Sequence, residues 1–327
     1  MIEILSTSAL ATVQDAGRRG NYRHGVGMAG AMDGLALAIG NVLLGNSPDA
    51  AAIEVPVTPF RVRFDRGLSC AVTGADCAPV LDGVPLPPDW AFHAKAGQVL
   101  ALGPTQTGCR AYLCVHGGID VPDVLGSRST QLREGFGGFE GRTLQRGDVL
   151  GALGGDAGLP PGGLGAIQPA KVVRAGAMDA TAVRVLPAAE YPRFTQPAQG
   201  LFWDSRWKVT AQSNRAGYRL AGPALELDGD MELRSHGVVP GVIQVPPGGQ
   251  PIIQLADAAT MGGYPKIGTV IEADLWRVAQ VRPGDALAFV ETDYAQAVAA
   301  LEALEAHVAA IDATARLQRE NFRRADG

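Results

Sequence analysis

The stretch Phe60-Arg61-Val62-Arg63-Phe64-Asp65 alternates apolar and charged side chains at every step. A period of two puts successive side chains on opposite faces of a pleated backbone, so these residues are read as a β-strand with one buried and one wetted face. Working outward, short apolar runs recur at Ala111 to Val115, Val242 to Val245 and Ile252 to Leu255, each of strand rather than helix length. Three further segments share a glycine turn entering a strand: Ala-Gly-Gln-Val-Leu-Ala-Leu at 96–102, Arg-Gly-Asp-Val-Leu at 146–150 and Pro-Gly-Asp-Ala-Leu at 283–287. The 327 residues include 43 glycines and 22 prolines, about a fifth of the chain against about 12% in average proteins, an excess that long helices do not accommodate. The fold class expected is mainly β with a few helices, either β or α+β.

A chain of this length suits one large domain or two ordinary ones, and 46% apolar with 19% charged residues excludes intrinsic disorder. Gly151 to Gly165 holds seven glycines and two prolines in fifteen residues, which reads as a flexible connector and puts a lobe boundary near residue 165. An N-terminal β-rich lobe over 1–165, a C-terminal β lobe over 166–292 and a helix over 293–327 packed on the second lobe follow. Helical spacing is clear in two places. Leu35, Ile39 and Val42 lie within Met32 to Leu44, with Asp33 as the cap and Asn46 and Pro48 as the stop. In the tail, Val298, Leu301, Leu304, Val308 and Ile311 form an amphipathic stripe behind Asp293 and Gln296, which resemble a capping box. Arg316, Arg319, Arg323 and Arg324 follow at its C-terminal end, and His307 on the same helix is read as solvated.

The net charge of −5 and the lack of any lysine or arginine run offer no track for a phosphate backbone or an acidic membrane, so neither nucleic acid nor membrane is expected as a partner. No apolar stretch reaches 18 residues and Met1 to Gly20 lacks a basic leader segment, which points to a cytoplasmic location. Cys70, Cys77, Cys109 and Cys114 form no C-x-x-C pair and are read as reduced thiols. The histidines His24, His93, His116, His236 and His307 are too scattered for a ligand cluster, so no metal site is expected. The patterns G-x-x-x-x-G-K-[ST], G-x-S-x-G and H-E-x-x-H are missing, and with them any nucleotide signature in this chain.

The densest polar cluster is Ser213-Asn214-Arg215-Ala216-Gly217-Tyr218-Arg219. A spacing of four puts Arg215 and Arg219 on one face of a strand or helical turn. Two guanidinium forks there can grip a carboxylate or phosphate, with Ser213 and Asn214 adding neutral hydrogen bonds; the alternative is that they tie the two lobes together through carboxylates. Downstream come Arg234-Ser235-His236-Gly237, then Gln244, Asp257 and Gly262-Gly263-Tyr264-Pro265-Lys266. Polar groups at strand ends beside paired glycines make a pocket rim in which a ligand can approach backbone amides. His236 suits an acid, a base or an oxyanion donor there, or a structural residue. Elsewhere, Gly126-Ser127-Arg128-Ser129-Thr130 is explained equally by turn chemistry and by ligand binding.

The motifs stand in a recognisable order: T-V-Q-D-x-G-R at 12–18, G-A-M-D at 30–33, G-G-I-D-V-P at 117–122, G-S-R-S-T at 126–130, S-N-R-x-G-Y-R-L at 213–220, S-H-G at 235–237, P-G-x-I-Q-V-P at 240–246 and G-G-Y-P-K at 262–266. This set resembles the family of 5-oxoprolinase C subunits, also described as the KipA or allophanate hydrolase subunit 2 family and related to the carboxyltransferase part of urea carboxylase. The resemblance implies cyclophilin-like β-barrel lobes, a KipI-like B subunit for partner, and an A subunit for the complete ATP-dependent opening of 5-oxoproline to L-glutamate. Under it, His236, Asp257 and Tyr264 are expected to be catalytic, and Ser213, Asn214, Arg215, Arg219, Gln244 and Lys266 to bind substrate. Replacing Arg215 by Ala is then expected to lower turnover of the reconstituted complex by orders of magnitude with the fold intact. Two alternatives stay open: the carboxyltransferase subunit of a biotin-dependent urea or amide carboxylase, and a non-catalytic antagonist of a kinase inhibitor. No bound biotin is expected, because Ala, Ala, Trp and Pro precede Lys95, Lys171, Lys208 and Lys266, leaving no Met-Lys pair. Where the family commonly reads Ser-Gly-Ala-Met-Asp and Gln-Thr-Thr-Gly-Gly-Tyr-Pro, Ala29, Ala259 and Met261 replace two hydroxyls and an amide, a change that bears on substrate choice.

Overall fold

The computed structural model describes residues 1–7, 10–56, 58–167, 182–229, 231 and 233–325, and for 323–325 the main chain alone. The side chains of Arg323 and Arg324 thus lie outside the described residues. Two compact units result: Met1–Arg19, Ala29–Val172 and Glu305–Gly327 make up the first, and Gly20–Met28 and Val173–Leu304 the second.

In the first unit Phe60–Phe64 is a strand whose burial alternates as its sequence does, with Phe60, Val62 and Phe64 buried and Arg61 and Arg63 exposed. It lies in the middle of a seven-stranded antiparallel sheet ordered Ile119–Asp120, Val149–Ala152, Ile2–Ser6, Phe60–Phe64, Val99–Leu102, Val80–Leu81, Val84–Pro85. A six-stranded antiparallel sheet runs Leu164–Gly165, Trp90–Ala94, Leu68–Asp76, Thr107–Val115, Ala52–Val55, Thr12–Gln14. Ile2, Phe60 and Leu100 of one sheet and Cys70, Phe92 and Leu113 of the other share a single apolar core. Leu68–Asp76 and Thr107–Val115 are largely buried on both faces because helix α1 (Gly34–Leu44) covers their other side. Asp33 caps α1 by accepting from Ala36 N at 2.8 Å, and Thr73 Oγ1 donates to the Ala36 carbonyl at 2.7 Å.

The glycine-rich stretch 151–165 is not a loose connector. Gly155 O accepts from Ser69 N at 2.8 Å, Ala157 N donates to Ser69 Oγ at 3.0 Å, and Leu164–Gly165 pairs with Trp90–Ala91. Its glycines serve close approach: a Cβ on Gly154 would lie 2.5 Å from the His116 carbonyl oxygen, and one on Gly163 2.1 Å from that of Ala91.

The second unit is a closed barrel in the order Ala182–Pro187, Lys266–Val270, Val242–Gln244, Ile252–Gln254, Gly217–Ala221, Arg206–Val209, Ala286–Glu291. Parallel pairing of Ala182–Pro187 with Ala286–Glu291 closes it, and the other pairings are antiparallel. Trp207, Tyr218, Ile243, Ile253, Ile267 and Leu287 fill the interior. Helix α2 (Gln196–Asp204) is capped by Thr195 and inserts Phe202 against Phe289 at 4.8 Å between ring centres, and α3 (Leu275–Ala279) is a short turn after Lys266–Val270.

Helix α4 (Tyr294–Ala325) begins at Asp293, whose carboxylate accepts from Gln296 N at 2.8 Å. Expected on the second lobe, it groups with the first unit from Glu305 onward. There Arg319 is buried and donates from Nη1 to the carbonyls of Val42 and Leu43 at 3.1 and 2.6 Å, at the C-terminus of α1. His307, read as solvated, is half-buried with Nε2 3.0 Å from the Ile167 carbonyl oxygen. Among the described residues no helix is long and apolar enough to cross a membrane, and no group of three or more His, Cys, Asp or Glu is placed to hold a metal ion.

Candidate functional site

The candidate site is built at the Lys266 end of one barrel strand. His236–Gly237 pairs with Met261–Gly262, His236 opposite Gly262, and the chain then enters Lys266–Val270. Against Val242–Gln244 this strand carries one residue more than its partner: Ile243 faces Gly268 while Gln244 faces Lys266. Such a bulge re-aims side chains. Lys266 and Ile267 are consequently both buried, and Gln244 is buried beside them.

Lys266 Nζ approaches His236 Nε2 to 2.5 Å and lies 3.5 Å from the Gly262 carbonyl oxygen. His236 Nδ1 faces the Arg234 carbonyl oxygen at 3.1 Å. Glu190, in the turn after Ala182–Pro187, accepts from the Lys266 main-chain N at 3.3 Å with Oε2 and places Oε1 3.7 Å from His236 Nε2. Gln244 Nε2 donates to the Tyr264 carbonyl at 3.4 Å. The His236 side chain is 44% exposed and that of Glu190 15%, so His236 is the member open to a ligand. Burial pushes the Lys266 ammonium below its ordinary value, and the Glu190 carboxylate works against that shift.

The remaining expected residues form a second group. Arg215 Nε and Nη2 donate to Asp257 Oδ2 and Oδ1 at 2.9 and 3.0 Å, a bidentate pair with both side chains buried. Asp257 N also donates to the Arg215 carbonyl at 3.0 Å. Asn214 Oδ1 accepts from Ala216 N at 2.8 Å, and Ser213 Oγ accepts from Arg219 N at 3.0 Å, so both side chains order the turn. Arg219, in Gly217–Ala221, is exposed, whereas Arg215 is buried. The two guanidinium groups therefore do not share a face, because the Asn214 turn interrupts the strand period between them.

His236, Gln244 and Lys266 are brought together, with Tyr264 contributing its carbonyl and an exposed ring. Arg215 joins Asp257, while Ser213 and Asn214 bond within 213–219, Ser213 to the Arg219 main chain. The glycine pair is occupied by protein: a Cβ on Gly262 would lie 2.5 Å from Gln244 Nε2, and one on Gly263 3.3 Å from Ser235 Oγ. Glu190 escaped sequence reasoning; its one local signal is a carboxylate before Tyr191-Pro192 at the end of an apolar strand. Of the altered motif positions, Met261 is exposed on the hairpin facing Gly237, and Ala29 is buried in the first unit.

Residues 24–291 match the family of the carboxyltransferase domain, subdomain A and B. The chain belongs to that family. Among relatives of this carboxyltransferase-domain chain, the C subunit of 5-oxoprolinase from Haemophilus influenzae is 43% identical over 289 residues, 88% of this chain and 90% of the relative. That from Escherichia coli is 42% identical over 300 residues, 92% and 94% of the two chains. The urea amidolyase of Saccharomyces cerevisiae is 33% identical over 332 residues, 96% of this chain and 18% of the relative. The crystal structure of the Kluyveromyces lactis urea carboxylase is similar with a TM-score of 0.83 and 29% identity, over 95% of this chain and 29% of that one.

Proposed function

We propose that this chain is the C subunit of an ATP-dependent 5-oxoprolinase complex that opens 5-oxoproline to L-glutamate with its B and A subunits in the cytoplasm. The observation that carries the reading is identity of 42–43% to two 5-oxoprolinase C subunits over at least nine-tenths of their length, against 33–35% to fungal urea amidolyases. Lactam opening joins a water oxygen to the ring carbonyl carbon, breaks the ring C–N bond and leaves a proton on nitrogen. Charge builds on the carbonyl oxygen during that change, and a fixed donor in a poorly solvated site stabilises it. Lys266 is such a donor, and the exposed ring of His236 is the acid or base that an entering substrate would meet. Arg215 and Asp257, satisfied by each other, hold the turn at 213–217 against residue 257. ATP belongs to the complex. The sequence of this chain carries no nucleotide signature, and we assign the nucleotide to its partners.

The likeness to urea carboxylase favours a second reading, transfer of a carboxyl group from biotin carried on another protein. Glutamate release from 5-oxoproline by the complex reconstituted from all three proteins, with and without ATP and avidin, separates the two. ATP-dependent release indifferent to avidin is the expected result. No release, or release abolished by avidin, overturns the first reading.

A further inference from the structure

Helix α4 carries two apolar lines. One of them, Leu304, Val308, Ile311 and Ala315, is buried or half-buried. On the opposite side Ala299, Ala303, Ala306, Ala310, Ala313 and Leu317 are all exposed, Leu317 at 57%. Their spacing alternates four and three, a seven-residue repeat that holds them on one side of the helix. The stretch also contains Glu302, Glu305, Asp312 and Arg316, yet none of these charges falls on that line. A helix with one face on its own chain gathers charge on the other, whereas one covered on both sides is apolar on both.

The exposed line is symmetric about the level of Val308. Ala306 and Ala310 stand two residues to either side, Ala303 and Ala313 five, and Ala299 and Leu317 nine. An antiparallel copy of the helix therefore meets it position by position, with alanine on alanine in the middle and Leu317 in the space left by Ala299 at each end. Side chains this small let two helix axes approach to about 8 Å.

Charge selects the same direction. Glu302, Ala309 and Arg316 run along one flank of the line, seven residues apart. In an antiparallel pair this flank faces its own copy, so Glu302 meets Arg316 of the other chain, and the two-fold axis makes that contact twice. A parallel pair would set the flank against His307, Thr314 and Asn321, where no carboxylate, lysine or arginine stands. Glu302 and Arg316 are exposed, and among the described residues neither makes an ion pair.

We propose that the outward face of α4 docks a second copy of this chain as an antiparallel helix pair, fixed in direction and register by reciprocal Glu302–Arg316 contacts. The line is about 27 Å long and mostly alanine, which fits a dimer that forms and parts with concentration rather than an obligate one. The pairing does not rest on the reaction proposed above, and each can fail without the other.

Sedimentation equilibrium of the full chain at low ionic strength tests it. The expected mass rises with concentration from 33.9 kDa toward twice that value. Glu302→Arg sets arginine against Arg316, and Arg316→Glu sets glutamate against Glu302; each alone is expected to weaken the dimer by about tenfold or more. Mixed together, the two variants restore both contacts and are expected to associate as tightly as the parent, which also shows that both are folded. Ala306→Glu, in the middle of the line, is expected to leave a monomer. A chain monomeric at every concentration, a dimer that ignores both reversals, or a mixture no tighter than its components overturns the inference. So does an Ala306→Glu chain that associates like the parent but no longer binds the B subunit, a result that gives the face to that partner.

Discussion

Arg215 and Lys266 are both buried cations near strand ends, yet their surroundings assign them opposite tasks. Arg215 is bonded twice to a buried carboxylate, and removing one partner of such a pair strands the other charge, at a cost of about 3–5 kcal/mol. Arg215→Ala is therefore expected to lower the denaturant midpoint of the second unit sharply, and the double variant Arg215→Met with Asp257→Leu to recover most of the loss. If Arg215→Ala is as stable as the parent, the pair is not structural and the substrate-gripping role returns. Lys266→Met is expected to fold and to lower turnover of the reconstituted complex by roughly 10²–10³-fold, the usual loss for a donor to a developing oxyanion; turnover within about twofold of the parent would remove Lys266 from the site. The residue types in 213–266 were readable as a polar concentration, but their pairing was not. Arg215 meets Asp257 across 42 positions and Glu190 meets the Lys266 main chain across 76, distances that no local period encodes.

Elements whose cause is local were readable, and those whose cause is a neighbour were not. Phe60–Phe64 follows from alternation, α1 from its Asp33 cap and α4 from its stripe and the Asp293 cap. The stripe on α4 shows that one face is buried without naming the surface that buries it. From Glu305 onward its partner is the first unit, where Arg319 caps the C-terminus of α1, while Tyr294 to Leu304 group with the second. In 151–165 composition misled in the same way: glycine there makes room for neighbouring backbone rather than loosening the chain. Gly45 illustrates the device, since it sits at φ 75° and a Cβ there would lie 2.8 Å from Arg319 Nη2. Arg319→Met keeps the apolar stem while leaving the Val42 and Leu43 carbonyls without the guanidinium. A loss of about 2–3 kcal/mol is expected, that of a charged hydrogen bond at a helix C-terminus. Hydrogen exchange at the C-terminal turn of α1 reads it directly, and unchanged protection there would show that α4 caps nothing.

Across the whole molecule, acid should act through the first unit, because two carboxylates there sit below the ordinary aspartate range. Asp148 is lowered chiefly by its hydrogen bonds from Arg142, at 2.7 and 2.9 Å, with the Gln145 main-chain N adding to them. Asp156 is lowered chiefly by the Gly158 main-chain N at 2.9 Å, helped by His93, Ser69 and His116. A carboxylate whose pKa is lower folded than unfolded binds fewer protons in the native state, so it contributes stability above its unfolded value, near 3.9, and loses it as pH falls through the folded value. Both residues tie down chain that the first sheet pair needs: Asp148 orders 142–148, and Asp156 holds the glycine-rich stretch against Leu68–Asp76 through Ser69. Four tryptophans divide unequally between the units, Trp90 in the first and Trp203, Trp207 and Trp276 in the second. The fluorescence difference between the parent and Trp90→Phe therefore reports the first unit by itself. Below about pH 4 that signal should fall with a lower denaturant midpoint, and Asp148→Asn with Asp156→Asn should lower stability at neutral pH while flattening the acid slope. An acid slope as steep in the double variant as in the parent would place the proton uptake on other groups and sever this link between the two loops and the stability of the unit.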